Sequence, residues 1–316
     1  MAFLPSDPLH GFVVGTRQTV LETKDGGRTW ETRYIGAGSA DSDEESEFNY
    51  RYNAVSFGGE EGKEGWIVGK PAVLFRTADA GATWSRVPLS NKLPGIPIGL
   101  YAYPDEKGKV EMVTDQGAIY LSQDGGDTWR AQVQETVDAT LNRELSSGIS
   151  GASFYTGTFA SVTRSDEGRY VAVNARGNFY MTWEPGQEFW QPHNRMTARR
   201  LTNMGWNPEN TMWMLTRGGA MYFGKEKGVT EDFADRRIGS RGFGLLDIGY
   251  RTPTDCWASG GSGSLFHSTD AGTTWKREKQ ADNLGGNLYL IKFFGPDQGF
   301  ILGSDSILLR YVSGLV

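Results

Sequence analysis

The chain has 316 residues and a mass of 34.8 kDa, room for one large domain or two ordinary ones. Gly occurs 43 times, about twice its usual share, with 12 Pro, 10 Trp and 12% aromatics, a mix that suits many short strands and excludes a disordered chain. A formal charge of −6 gives no support to nucleic-acid binding, no apolar run approaches the length of about 18 residues that a membrane span needs, and the lone Cys256 excludes an intrachain disulfide or a CxxC site.

Met1 to Pro5 shows no basic region followed by an apolar stretch, so the chain either has no targeting peptide or is already trimmed. Phe3 and Leu4 read as the stub of a first strand. A short apolar strand then recurs along the sequence: Phe12 to Gly15, Trp66 to Gly69, Glu111 to Thr114, Tyr170 to Val173, Trp213 to Thr216, Trp257 to Gly260 and Phe300 to Gly303. The intervals between the last residues of these copies are 54, 45, 59, 43, 44 and 43. A period of about 40–45 residues with four short strands per unit marks a β-propeller blade. The sequence therefore predicts an all-β, seven-bladed β-propeller of four-stranded antiparallel blades, one domain over residues 1–316.

About ten residues after the first of these strands comes Thr23-Lys24-Asp25-Gly26-Gly27-Arg28-Thr29-Trp30. The pattern [ST]-x-D-x-G-x-T-W returns at Thr77 to Trp84, Ser122 to Trp129 and Ser268 to Trp275, with two worn copies at Thr182 to Trp190 and Lys225 to Phe233. Turn chemistry accounts for every position. Asp accepts backbone N–H bonds within its own turn, and Gly supplies the positive φ. Trp30, Trp84, Trp129 and Trp275 are expected to open the fourth strands and to be largely buried. The unit after residue 242 predicts strands at Leu245 to Tyr250, Cys256 to Ser259 and Leu265 to Ser268, with a fourth beginning at Trp275. The last unit stops after a third strand, Ile307 to Val312, so the seventh blade is expected to have three strands of its own.

Two insertions lengthen the period. Residues 36–50 hold Asp41, Asp43, Glu44, Glu45 and Glu47 and read as a solvated acidic loop; residues 134–157 form a second long connection. The segment Trp190 to Arg251 has eight Arg and two Lys against six acids, so it carries +4 while the rest of the chain carries −10. In a blade, the turn between strands 2 and 3 and the link to the next blade emerge on one face. Arg176, Arg195, Arg199, Arg200, Arg217 and Arg241 all map to that face, whereas Arg251 maps to the other. A one-sided Arg cluster on an acidic chain is a candidate patch for a peptide or other anion, because the planar guanidinium matches a carboxylate.

Beyond the turns, several segments resemble the photosystem II stability/assembly factor family over nearly the whole chain. They are Gly15 to Thr23 (GTRQTVLET), Trp183-Glu184-Pro185-Gly186, Pro192-His193-Asn194-Arg195, Arg199-Arg200, Gly244-Leu245-Leu246-Asp247, Tyr250-Arg251-Thr252-Pro253 and Leu308-Leu309-Arg310-Tyr311. The resemblance implies a non-enzymatic propeller of the thylakoid lumen that binds the newly inserted reaction-centre subunit, the D-one precursor, and early assembly intermediates. It also implies that the Arg face is the partner-binding surface. The acidic insertion points to an algal or plant plastid source.

Two other readings remain open on the residues. One is an interaction propeller with a different partner. The other is a sialidase-type glycosidase, which would need an Arg triad, a Tyr–Glu pair and an acid converging on a channel. No Ser/His/Asp, phosphate-loop or dinucleotide motif is present, and His10, His193 and His267 are too far apart for metal-ligand spacing. Neither catalytic residues nor a cofactor is expected.

Overall fold

The computed structural model describes residues 1–35, 49–133, 158–236, 238–239, 242 and 244–313. The acidic segment 36–48, the connection 134–157 and Arg241 lie outside the described residues. Contacts divide the chain into two compact units, Met1–Thr158 with Gly186–Phe189, and Phe159–Pro185 with Trp190–Val316.

Unit 1 holds three antiparallel four-stranded sheets. The first comprises β1 (Ala2–Leu4), β2 (Asp7–Val14), β3 (Val20–Thr23) and β4 (Glu31–Thr32). The second comprises β5 (Arg51–Gly58), β6 (Glu64–Lys70), β7 (Val73–Thr77) and β8 (Ser85–Val87); the third, β9 (Pro97–Ala102), β10 (Val110–Thr114), β11 (Ile119–Ser122) and β12 (Arg130–Ala131). Unit 2 holds four sheets. The fourth comprises β13 (Phe159–Arg164), β14 (Tyr170–Asn174), β15 (Phe179–Trp183) and β16 (Gln191–Asn194). The fifth comprises β17 (Leu201–Trp206), β18 (Thr211–Thr216), β19 (Met221–Lys227) and β20 (Phe233–Arg236); the sixth, β21 (Leu245–Tyr250), β22 (Cys256–Gly260), β23 (Leu265–Ser268) and β24 (Lys276–Arg277). The seventh comprises β25 (Leu288–Gly295), β26 (Gln298–Gly303) and β27 (Leu308–Arg310), three strands among the described residues, as expected. Strand order follows chain order in every sheet, and among the described residues a single 3-10 turn, Lys279–Ala281, interrupts the β-structure. The fold is a seven-bladed β-propeller.

The seven recurring apolar segments supply the second strand of each sheet, and β14 and β10 are buried along their whole length. A strand covered on both faces has no solvent side to alternate with, so it reads as continuous apolar sequence rather than as period two. The core lies between successive sheets of each unit. In unit 1, Phe12 stacks on Phe57 at 5.2 Å, and Trp66, Val68 and Leu74 pack with Met112. In unit 2, Val171 and Tyr180 pack with Met204 and Met214, and Leu265 packs with Leu288 and Ile301.

First strands are also joined by side chains. Asn53 Nδ2 donates to Pro97 O at 2.9 Å, Thr163 Oγ1 to Met204 O at 2.8 Å, and Asn203 Nδ2 to Leu246 O at 3.0 Å. Ile291 N donates to Asp247 Oδ2 at 2.8 Å. Each of β5, β13, β17, β21 and β25 carries a bulge near its start. A bulge inserts one unpaired residue and re-aims the side chains around it.

The four intact turns are built alike. In the first, Thr23 Oγ1 donates to Asp25 Oδ1 at 2.8 Å and accepts from Gly27 N at 2.9 Å. The Asp25 carboxylate then accepts Thr29 N at 2.9 Å and Thr29 Oγ1 at 2.6 Å. The same bonds recur around Asp79, Asp124 and Asp270. Hydroxyl and backbone donors from Thr128 and Thr274 hold Asp124 and Asp270 at about 2, and Thr29 holds Asp25 lower still. The worn copies form the corresponding turns of the fourth and fifth sheets. In the fourth, Thr182 Oγ1 bonds to His193 Nε2.

Trp30, Trp84, Trp129 and Trp275 are each partly buried and none is exposed, in keeping with the expectation of largely covered rings. Each lies just before a short outer strand, and Trp84, for instance, packs edge-on against both Phe12 and Phe57 at 6.0 Å. Trp129 Nε1 donates to Gly126 O at 2.8 Å and Trp275 Nε1 to Gly272 O at 3.0 Å, so the rings clamp their own turns. The deeply buried tryptophans are Trp66, Trp183 and Trp213, on inner strands.

Candidate functional site

Three loops of unit 2 carry five of the six candidate arginines. Arg176 occupies the turn between β14 and β15, where Gly177 N donates to Asn174 O at 2.8 Å and Asn178 N to Asn174 Oδ1 at 2.7 Å. Gly177 has φ +68°, and a Cβ there would lie 2.3 Å from Leu201 O. Only Gly lets this turn sit against the start of β17, where Leu201 N donates to Gly177 O at 2.8 Å.

The link from β16 to β17 brings Arg195, Arg199 and Arg200 beside that turn. Arg195 Nη1 makes a long contact of 3.4 Å with Asn178 Oδ1. Thr197 turns inward and accepts from Arg199 N at 3.2 Å and from the Tyr222 hydroxyl at 3.4 Å. Arg217 opens the turn between β18 and β19, and its N–H donates to Arg200 O at 2.8 Å. Arg199 Nη1 reaches Gly218 O at 3.5 Å. Backbone hydrogen bonds thus lock the three loops together and place Arg176, Arg195, Arg199, Arg200 and Arg217 on one stretch of surface.

Arg176, Arg199, Arg200 and Arg217 are exposed and Arg195 is half-buried. No carboxylate among the described residues lies within 4.0 Å of any of the five guanidinium groups. Three other arginines of unit 2 are neutralised: Arg169 by Glu167 and Glu184, Arg251 by Asp255 at 2.8 Å, Arg277 by Asp282 at 2.8 Å. Arg251, assigned to the other face, lies in the turn after β21. There it also donates to Pro296 O at 3.3 Å and covers the Tyr311 ring at 5.5 Å, a packing role. The arrangement on the loops is a set of rigid forks with unspent donors, suited to carboxylates.

The other chemically notable groups are engaged. Burial pushes the Cys256 thiol up to about 12, far from a reactive thiolate. His10 bonds to Glu22 at 2.7 Å, His193 to Glu231 at 2.8 Å and His267 to Asp255 at 3.2 Å. Among the described residues no group of three or more His, Cys, Asp or Glu is placed to hold a metal ion, and no helix is long and apolar enough to cross a membrane. One surface residue among the arginines escaped the sequence reading. Met196 is 62% exposed within the β16–β17 link, and its only sequence signal was an apolar residue inside a polar loop.

Seven antiparallel blades make the fold a β-propeller, and the arginines on its interlocked loops, with no carboxylate partner among the described residues, are its candidate anion-binding surface. The family model described as photosynthesis system II assembly factor YCF48 matches residues 1–312, and the chain belongs to that family. It is 56% identical over 312 residues to photosystem II stability/assembly factor HCF136, chloroplastic, of Arabidopsis thaliana, covering 99% of this chain and 75% of that protein. A solved structure described as YCF48 from Cyanidioschyzon merolae matches with TM-score 0.85 and 44% identity, over 99% of this chain and 94% of the other. A second, YCF48 bound to D1 peptide, matches with TM-score 0.83 and 41% identity, over 99% and 92%.

Proposed function

We propose that this chain is a non-enzymatic photosystem II assembly factor, a single binding domain that holds the D1 precursor and early assembly intermediates in the thylakoid lumen. The observation that carries the reading is the cluster of Arg176, Arg195, Arg199, Arg200 and Arg217, gathered on three interlocked loops with no carboxylate partner among the described residues. Arg241, in the link from β20 to β21, is assigned to the same surface from its place in the chain. Family membership, and a relative solved with D1 peptide, support a peptide as the occupant. The relatives from Arabidopsis thaliana and Cyanidioschyzon merolae are named chloroplastic, which supports the compartment.

Exposed ion pairs contribute only about 0–1 kcal/mol each, so several arginines must engage together. Affinity should therefore fall as salt shortens the screening length below about 10 Å. The test is titration of labelled lumenal segments of the D1 precursor against wild type and the double variant Arg199→Glu/Arg200→Glu. Binding is expected to vanish in the double variant while its melting temperature stays within about 2 °C of wild type, since neither guanidinium is buried. Unchanged affinity in a folded double variant rejects the patch.

A further inference from the structure

We infer that Met196 is an apolar anchor at the centre of the arginine loops, so the peptide recognised there sets an aliphatic or aromatic side chain beside its carboxylates. This rests on the reading of those loops as a peptide-binding surface and adds the chemical class of the peptide.

Met196 is displayed rather than left over. Its link is pinned at Thr197, which accepts from Arg199 N and Tyr222 Oη, and at Arg200 O, which accepts from Arg217 N. Thr197 thereby turns inward, while Met196, Ala198, Arg199 and Arg200 turn out. An unbranched thioether that is 62% exposed, next in sequence to Arg195 and three residues before Arg199, is an apolar spot on a link that carries three cations. Other large apolar side chains exposed in unit 2, such as Tyr289 and Leu290, lie on β25 of the seventh sheet and not on these loops.

The chemistry favours one kind of occupant. Exposed Arg–carboxylate pairs are weak because water screens both partners. An apolar side chain seated on Met196 would exclude that water and strengthen the pairs around it, the arrangement found at the centres of protein interfaces. Met is flexible and polarisable, and its sulfur packs well at an aromatic edge, so it accepts Leu, Ile or Phe alike. A purely acidic peptide would meet the guanidinium forks but leave Met196 in water.

Two labelled peptides of equal charge provide the test. One places Leu-Phe between two acidic residues; in the other, Ser-Gly replaces Leu-Phe. Fluorescence anisotropy is read for wild type, Met196→Ala, Met196→Leu and Arg200→Ala across a salt series. Met196→Ala is expected to weaken the Leu-Phe peptide about tenfold, from the apolar area left in water, and to leave the Ser-Gly peptide unchanged. Met196→Leu should restore most of the loss, and the salt dependence should match wild type in both Met variants. Arg200→Ala should weaken both peptides and flatten the salt dependence. Wild-type affinity of Met196→Ala for the Leu-Phe peptide, or an equal loss for both peptides, overturns the anchor and leaves the arginine surface standing. Binding that ignores both salt and Arg200, or no binding of either peptide, overturns the peptide-binding surface itself and the anchor with it.

Discussion

Replacing Asp247 with Asn should change how stability depends on pH. Asp247 follows the bulge in β21 and is only 6% exposed. Its Oδ2 accepts Ile291 N at 2.8 Å and its Oδ1 accepts Asn203 Nδ2 at 3.2 Å, so it joins the inner strands of three consecutive sheets. Burial raises its pKa from 3.8 to about 7, against the opposing pull of the Ile291 and Ile248 N–H groups. Between those values the folded chain holds a proton that the unfolded chain has released. Stability from this group therefore falls as pH rises from about 4 to about 7 and levels off above. A rise of ~3 pH units at ~1.4 kcal/mol each sets the whole effect at roughly 4 kcal/mol. Asn does not titrate and is nearly isosteric with the protonated acid, so at pH 4.5 the two proteins should differ by about 1 kcal/mol. Relative to wild type, the variant should then gain about 2–4 kcal/mol by pH 8. Urea unfolding followed by tryptophan fluorescence at half-unit steps of pH measures this directly. Other titrating groups are common to both proteins and cancel in the difference. A difference that moves by less than about 1 kcal/mol across the window would refute the placement of a costly buried charge at Asp247.

The turn aspartates should behave in the opposite sense. Asp124→Ala is expected to lower the melting temperature at pH 7, and its deficit should close as pH falls from about 4 to about 2, because a carboxylate held at about 2 stabilises only while ionised; acid denaturation followed by circular dichroism reads it. Gly81→Ala should cost about 2–4 kcal/mol, since its φ is +85° and a Cβ would meet Phe12 Cζ at 2.4 Å. Gly186→Ala, with φ +92° and nothing within 4 Å, should cost only about 1 kcal/mol, and thermal shift separates the two. Trp66→Phe should cost about 2–4 kcal/mol in chemical denaturation, because the fully buried indole donates to Gly125 O at 2.8 Å and the smaller ring leaves both a void and an unpaired carbonyl.

Much of the fold is legible in the sequence because its determinants are local. The bonds of Thr23 and Asp25 span at most four residues, and the apolar strands are buried on both faces wherever the chain goes. The bounds predicted for β21 and β23 are those found, and the seven copies of the recurring strand set the number of blades. The outer strands were less legible: β4, β12 and β24 have two residues each, too few for any periodicity. How far the four turn tryptophans fall short of full burial was also hidden, since the composition of a turn does not say what will pack over it.

Topology alone put the candidate arginines on one face, but only the tertiary structure decided which of them lack partners. Arg251 and Arg200 look alike in sequence. The Arg251 guanidinium meets a carboxylate four residues away, whereas that of Arg200 meets none among the described residues, and only its backbone oxygen is held, by Arg217 N. Asp247 stands in a recognisable motif, yet two of the groups that hydrogen-bond its carboxyl, Asn203 Nδ2 and Ile291 N, lie 44 residues away on either side. Such contacts join successive sheets at the distance of a whole repeat. No local pattern encodes them, because a propensity or a turn motif is satisfied within a few residues, whereas burial and electrostatics depend on which strands pack side by side.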